Sequence, residues 1–202
     1  MGASKLLAER IVRGMDGIGD ISTAVVRFGN VLGSRGSLVP EIYRQVRELR
    51  RANVTDNDMT RFFMSIDLAV QLVLYASIVS LRSGGNLFVL KMPCLRIRDI
   101  IEVLRDHFCK LEGIDPAEVP IYEVGKRPGE KLHEELITLE ESERTREYGP
   151  FLVTYSPDQL ASGTAKGNVV APETMAQFNS STAVPLTKPE IFSLLRDQAK
   201  LI

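Results

Sequence analysis

An α/β fold is predicted by three features of the sequence. Short β-branched apolar runs alternate with longer stretches of helical periodicity, no long antiparallel series of strands occurs, and Gly-rich turns separate the two kinds of segment.

Ala3 to Met15 places Leu6, Leu7, Ile11 and Met15 on helical spacing with Gly14 and Gly17 as stop signals, so an amphipathic helix opens the chain. Thr23 to Phe28 reads as a buried strand running into a Gly-rich loop. Pro40 to Arg51 reads as a helix with Ile42, Val46 and Leu49 inward and a basic, solvated outer face. Val54-Thr55 reads as a short strand, and Ser65 or Asp67 caps a helix to about Leu81. Leu87 to Leu90 is a strand after the Gly84-Gly85 turn, Ile97 to Leu111 an amphipathic helix, and Ile121 to Val124 a further strand. A short helix is expected around Leu132 to Leu136, and Phe151 to Tyr155 is expected as an edge strand. Ser156 to Pro185, rich in Ser, Thr, Gly, Ala and Pro, reads as irregular surface chain. A last helix has Pro189 near its first turn and Ile191, Leu194, Leu195 and Leu201 on its apolar side.

The charges nearly cancel: 25 Lys plus Arg against 26 Asp plus Glu, a formal charge of -1 over 202 residues. That balance excludes a general pull toward nucleic acid or anionic lipid, so a bound anion must be met by individually placed arginines. Cys94 and Cys109 show no metal-ligand spacing and read as core residues of a protein in a reducing compartment. His107 and His133 read as helix-surface residues with no metal or triad pattern. The apolar run from Leu68 to Leu81 is interrupted by Gln71 and Ser77 and is too short to span a bilayer. The opening Met-Gly-Ala-Ser-Lys is no signal peptide, and a cytoplasmic protein without membrane insertion is expected.

Two distant stretches carry the chemistry. Val26 to Ser37 puts Asn30 and the glycines Gly29 and Gly33 at the exit of an apolar strand, where backbone N–H groups and a short amide can approach an anion. Arg127-Pro128-Gly129-Glu130-Lys131 places a guanidinium and a carboxylate on one turn. A planar fork suits phosphate oxygens and a carboxylate suits the vicinal hydroxyls of a ribose, so together they suit a nucleoside diphosphate. Gly33 to Gly36 does not form a dinucleotide-binding turn, because no helix-opening third glycine follows.

In order and spacing these stretches resemble the extended short-chain dehydrogenases that act on nucleotide sugars, in particular the inverting UDP-N-acetylglucosamine 4,6-dehydratases of polysaccharide biosynthesis. Met1-Gly2-Ala3-Ser4-Lys5 aligns with the Tyr-x-x-x-Lys active-site helix, Arg27 to Ser37 with the strand and loop over nicotinamide and diphosphate, and Met59 to Met64 with the arginine turn. Asn86 to Pro93, Arg127 to Glu135, Glu147-Tyr148 and Phe178 to Ser181 continue the likeness over nearly the whole chain. The implied fold is the C-terminal portion of such an enzyme, the end of a Rossmann-type sheet plus a small substrate-binding domain. Residues 1–37 would be a remnant of the NAD(P)-binding domain, 38–155 mainly substrate-binding region with returning Rossmann elements, and 156–202 a tail and helix.

The resemblance also assigns roles. Lys5 would be the catalytic lysine that orders the nicotinamide ribose; Phe28, Gly29 and Asn30 would line the cofactor. Asn30, Ser34, Arg35, Ser37, Arg61, Arg127 and Glu130 would bind the UDP-sugar, with both arginines on the diphosphate and Glu130 on ribose hydroxyls. Met1 stands where the family has its proton-exchanging Tyr, and a thioether neither gives nor takes that proton. NAD or NADP is implied for the complete enzyme, which would be a homo-oligomer. For this chain alone, read as starting at an internal Met, no cofactor binding and no turnover are expected. Leu7 and Ile11 are expected to pack on the missing half or on a partner subunit. A nucleotide-sugar epimerase, or a non-catalytic remnant that binds UDP-sugar or another subunit, remains as an alternative.

Overall fold

The computed structural model describes every residue except Met1, Arg35, Gly84, Gly85, Gln177, Ala199, Leu201 and Ile202. The expectations for Met1, Arg35, the Gly84-Gly85 turn and Leu201 therefore lie outside the described residues. In chain order the elements are α1 (Gly2–Gly14), β1 (Ala24–Arg27), β2 (Asn30–Val31), α2 (Leu38–Arg44, continued by a π turn, Gln45–Leu49), β3 (Ala52–Val54) and β4 (Thr60–Met64). They continue with α3 (Ile66–Ser83), β5 (Asn86–Leu90), β6 (Cys94–Arg96), α4 (Ile97–Glu112), β7 (Ile121–Glu123), α5 (Leu139–Ser142), β8 (Thr145–Tyr148) and β9 (Phe151–Thr154). The last are α6 (Pro157–Ala161), β10 (Asn168–Val169), α7 (Pro172–Ala176) and α8 (Lys188–Ser193), the latter passing into a π turn, Leu194–Gln198.

The chain forms two compact units that alternate along the sequence. The first comprises residues 1–28, 67–91 and 135–178; the second comprises 29–66, 92–134 and 179–202.

The first unit is built on a sheet of order β1-β5-β9-β8-β10, in which β1 and β5 are parallel and the other pairs antiparallel. Asn86 to Leu90 is buried throughout, as a strand paired on both sides must be. Phe151 to Tyr155 was expected at an edge, yet β9 lies inside, between β5 and β8. The neighbour β8 escapes pattern reading because its polar side chains are satisfied locally: Thr145 bonds Thr154 at 2.8 Å, Arg146 donates to the Glu143 and Thr145 carbonyls, and Glu147 pairs with Lys91. Tyr75 of α3 stacks on Phe151 with ring centroids 3.9 Å apart. Leu6, Leu7 and Ile11 on α1, and Val70, Leu74, Ile78 and Leu81 on α3, are exposed. No helix among the described residues is long and apolar enough to cross a membrane.

Arg27 joins three elements of this unit. Its guanidinium uses all of its N–H groups, donating to both oxygens of Glu9 on α1, both of Glu141 on α5, and the Leu136 carbonyl, at 2.7 to 3.1 Å. Glu141 also accepts the Thr138 N–H and closes a capping box at the start of α5. Burial pushes the Glu141 carboxyl up, but the Arg27 and Thr138 bonds outweigh it and hold it below its ordinary value.

The second unit has two small sheets, β2-β4-β6 and β3-β7, around a core that includes Val39, Ile42, Val46, Phe63, Ile100, Leu104, Phe108 and Ile191. Each such side chain, once buried, contributes roughly 1.5–3 kcal/mol before entropy is counted. Helix α4 buries Ile100, Ile101, Leu104 and Phe108 on one face and stops at Gly113, whose φ of 66° lets its N–H reach the Cys109 and Lys110 carbonyls. Ile42 and Val46 are buried as expected, whereas Leu49 is exposed, because the π turn shifts the phase of the apolar stripe after Arg44. The basic face of α2 is solvated, with Arg44 paired to Glu41 and Arg47 near Glu112. Cys94 and Cys109 are free and buried, as read from the sequence. In α8, Thr187 donates its N–H and hydroxyl to Glu190, and Ile191, Leu194 and Leu195 turn inward.

No helix forms at 132–136 among the described residues. The groups that would build it are used elsewhere in each unit: the Lys131 and Leu132 carbonyls accept from Arg61, the Leu132 carbonyl also accepts the Thr60 N–H, and the Leu136 N–H bonds the Phe178 carbonyl.

Candidate functional site

The site in the second unit begins where β2 meets β4. The pair is parallel, with Asn30 opposite Phe63 and Val31 opposite Met64, and Leu32 donates to the Met64 carbonyl at 2.8 Å. Just before it, Gly29 lies against the backbone of β4. A Cβ there would stand 2.6 Å from the Phe62 carbonyl oxygen and 2.8 Å from its carbon, so glycine is required by close approach. Gly29→Ala is expected to destabilise the protein by about 1–3 kcal/mol, because the obstruction is main chain and cannot swing aside. Urea denaturation reads that loss directly.

The Phe62 peptide, left beyond the end of the β2 ladder, is completed by side chains. Asn30 Nδ2 donates to the Phe62 carbonyl at 3.1 Å, and the Phe62 N–H donates to Glu134 Oε2 at 3.1 Å. Asn30 Nδ2 also reaches Glu134 Oε1 at 3.4 Å, and Arg61 Nε lies 3.5 Å from the same oxygen. Burial pushes the Glu134 carboxyl above its ordinary value, partly offset by the Phe62 N–H and the Arg61 charge.

Arg61 is a buried clamp on the loop that carries Arg127 and Glu130. Nη1 donates to the Thr60 and Leu132 carbonyls at 2.8 and 2.9 Å, Nη2 donates to the Lys131 carbonyl at 2.6 Å, and Glu130 lies 3.9 Å from Nη2. Glu130 in turn accepts the Arg127 N–H at 3.0 Å, while its own N–H donates to the Arg127 carbonyl at 2.9 Å. Gly129, at a φ of 78°, allows that turn. The Arg127 guanidinium is exposed and makes no ion pair or hydrogen bond among the described residues. The two arginines thus differ: Arg61 holds the loop, and Arg127 stands free on it.

Below the loop lies a network that sequence reading missed. Thr60 Oγ1 sits 2.7 Å from His133 Nδ1 and within 2.8 Å of Ser180 Oγ, and the Glu134 N–H donates to that same Ser180 oxygen at 2.7 Å. His133 is therefore a loop residue tied to β4, not the helix-surface residue expected, and Ser180 fixes the loop from the C-terminal segment. Cys94 touches the Ser180 carbonyl, and burial pushes its thiol up to about 11, so it remains a thiol at neutral pH. His133 and Glu134 come just after the Arg-Pro-Gly-Glu turn, beyond Lys131 and Leu132; that closeness was the one available signal.

The remaining expected residues are placed as follows. Asn30, Arg61, Arg127 and Glu130 fall in the second unit with Gly29; Lys5 is exposed on α1 and Phe28 is exposed after β1, both in the first unit. Ser34 donates to the Val31 carbonyl at 2.9 Å. Ser37 precedes α2 without capping it, and its hydroxyl is buried with no partner among the described residues. No group of residues suited to a metal ion is present among the described residues.

The profile of the family described as "Polysaccharide biosynthesis protein" matches residues 1–156. The uncharacterized membrane protein MJ1061 of Methanocaldococcus jannaschii is 40% identical over 200 residues, covering 98% of this chain and 57% of that protein. The capsular polysaccharide biosynthesis protein CapD of Staphylococcus aureus is 41% identical over 143 residues, 70% of this chain and 23% of CapD. UDP-glucose 4-epimerases are also relatives: that of Rickettsia rickettsii is 35% identical over 144 residues, 70% of this chain and 40% of the enzyme. Among solved structures, Pen from Bacillus thuringiensis superposes with a TM-score of 0.86 at 33% identity, over 100% of this chain and 58% of Pen. The chain thus spans little more than half the length of MJ1061 and of Pen. The α/β fold read from the sequence stands, matching the C-terminal portion of an extended short-chain dehydrogenase, and the chain belongs to the polysaccharide biosynthesis protein family.

Proposed function

We propose that this chain is the substrate-side part of an NAD(P)-dependent nucleotide-sugar 4,6-dehydratase that takes a UDP-N-acetylglucosamine-like substrate for surface polysaccharide or modified-sugar synthesis. The observation that carries this reading is the firmly held 127–130 turn with the Arg127 guanidinium on it, unpaired among the described residues. Arg61 and Glu130 fix the turn from within, and Arg127 is left to meet an anion. Arg127 binds the diphosphate, the free edge of Glu130 accepts ribose hydroxyls, and Arg61 supports both. By the family resemblance Ser34, Arg35 and Ser37 serve the sugar.

A bound nicotinamide would supply reversible hydride transfer to and from the sugar. The chain's residues fit only part of that cofactor. By the family resemblance Lys5, exposed on α1, serves the nicotinamide ribose and Phe28, Gly29 and Asn30 serve as cofactor-binding residues, but no Gly-x-Gly-x-x-Gly turn for the pyrophosphate occurs in this sequence. Homo-oligomer formation and a cytoplasmic location belong to the same proposal.

The epimerase relatives favour a second reading, 4-epimerisation of the same class of substrate. Mass spectrometry combined with proton NMR of UDP-N-acetylglucosamine incubated with the complete enzyme separates the two. Loss of one water from the sugar is the expected result; a product of unchanged mass with C4 inverted supports the epimerase instead.

A further inference from the structure

Both hydrogens of the Asn30 side-chain amide are committed inside the protein. Nδ2 lies between two acceptors, the Phe62 carbonyl at 3.1 Å and Glu134 Oε1 at 3.4 Å, and that pairing fixes which end of the amide is nitrogen. Oδ1 has no partner among the described residues, and Asn30 is exposed. Asn30 therefore offers an incoming molecule only an acceptor. An anion placed there would face the amide oxygen and the Glu134 carboxylate, whereas a hydroxyl would find the partner it needs.

Glu134 cannot easily release this grip, because it is itself anchored on several sides. Its Oε2 takes the Phe62 N–H, its backbone N–H donates to Ser180 Oγ at 2.7 Å, and its carbonyl accepts the Ser180 N–H at 2.8 Å. Arg61 Nε lies 3.5 Å from Oε1.

We infer that Glu134 is a positioning residue for sugar recognition: it holds Asn30 by the nitrogen, so that the amide oxygen accepts a hydrogen bond from a sugar hydroxyl and the diphosphate is left to Arg127. The inference rests on the UDP-sugar reading for the identity of the ligand. It changes the part Asn30 plays, from approaching an anion to reading a hydroxyl.

Glu134→Gln tests it. A glutamine that keeps the Phe62 N–H on its oxygen turns its own NH2 toward Asn30 Nδ2, so the tether breaks or the Asn30 amide turns over. Calorimetric titration of this chain is expected to show affinity for UDP-N-acetylglucosamine reduced about three- to tenfold, the range of one neutral hydrogen bond. Affinity for UDP, which has no sugar, and the thermal midpoint are expected to stay unchanged. Equal losses for both nucleotides, or no loss for either, overturn the inference. A wild-type chain that binds neither nucleotide overturns the UDP-sugar reading and the inference with it, a pattern distinct from equal loss in the variant. If Glu134→Gln fails to fold, Asn30→Ala answers the same question: a loss confined to the UDP-sugar supports the inference, and equal or absent loss refutes it.

Discussion

Arg127→Ala is expected to weaken UDP-N-acetylglucosamine binding by about 1.5–3 kcal/mol, roughly 10- to 150-fold in Kd, without moving the unfolding midpoint. The magnitude is that of a charge-assisted contact to a diphosphate. The unchanged stability follows from the structure, since the guanidinium is exposed and ties nothing to anything else among the described residues. Glu130→Ala is expected to act in the same direction but less, because neutral ribose hydroxyls are weaker partners than phosphate. It also removes the acceptor of the Arg127 N–H. Arg61→Ala would behave differently again: three carbonyl contacts vanish from a buried position, so stability falls along with binding.

The largest effect on stability is expected at Arg27. Arg27→Met should cost about 3–5 kcal/mol at neutral pH, because it leaves the Glu9 and Glu141 carboxylates facing each other with no cation, in a place where their side chains are only 14% and 11% exposed. The pH dependence has a definite sign. Glu141 is held below its ordinary value of 4.5 in the folded state, so its contribution is present above that value and disappears as pH falls through the lowered one. Urea unfolding of the two proteins should therefore differ most near neutrality, and the gap should narrow as the pH drops below 4.5. A gap that widens in acid would contradict the role assigned to Arg27.

Much of this fold was legible because its signals are local. The periodicity of Ile97 to Leu111 and the glycine after it mark α4 within a residue or two, and the apolar run at Leu87 marks β5. What could not be read depends on partners distant in sequence. Strand β4 carries Thr60 and Arg61 as buried residues, a pattern that looks like a turn until Ser180 and the carbonyls of Lys131 and Leu132 are brought to it. The same contacts dissolve the helix expected at Leu132, since they take the carbonyls it needs. At the site, the residue types of the Arg-Pro-Gly-Glu turn were visible in the sequence, but the division of labour between Arg61 and Arg127 was not. Glu134 was overlooked because its role depends on the Phe62 N–H, which β2 leaves to a side chain by pairing with β4 only from Phe63 onward.

The proposed function has this chain grip the nucleotide-sugar through the 127–130 turn, and without a Gly-x-Gly-x-x-Gly turn in the sequence it is expected not to bind the dinucleotide by itself. Isothermal titration of UDP-N-acetylglucosamine and of NAD(H) into the wild-type and Arg127→Ala chains measures both halves at once. Saturable UDP-sugar binding, weakened in the variant, with no NAD(H) binding in the micromolar range for either protein, is the result the account predicts. Saturable NAD(H) binding that Arg127→Ala abolishes, while UDP-sugar binding is spared, would contradict it.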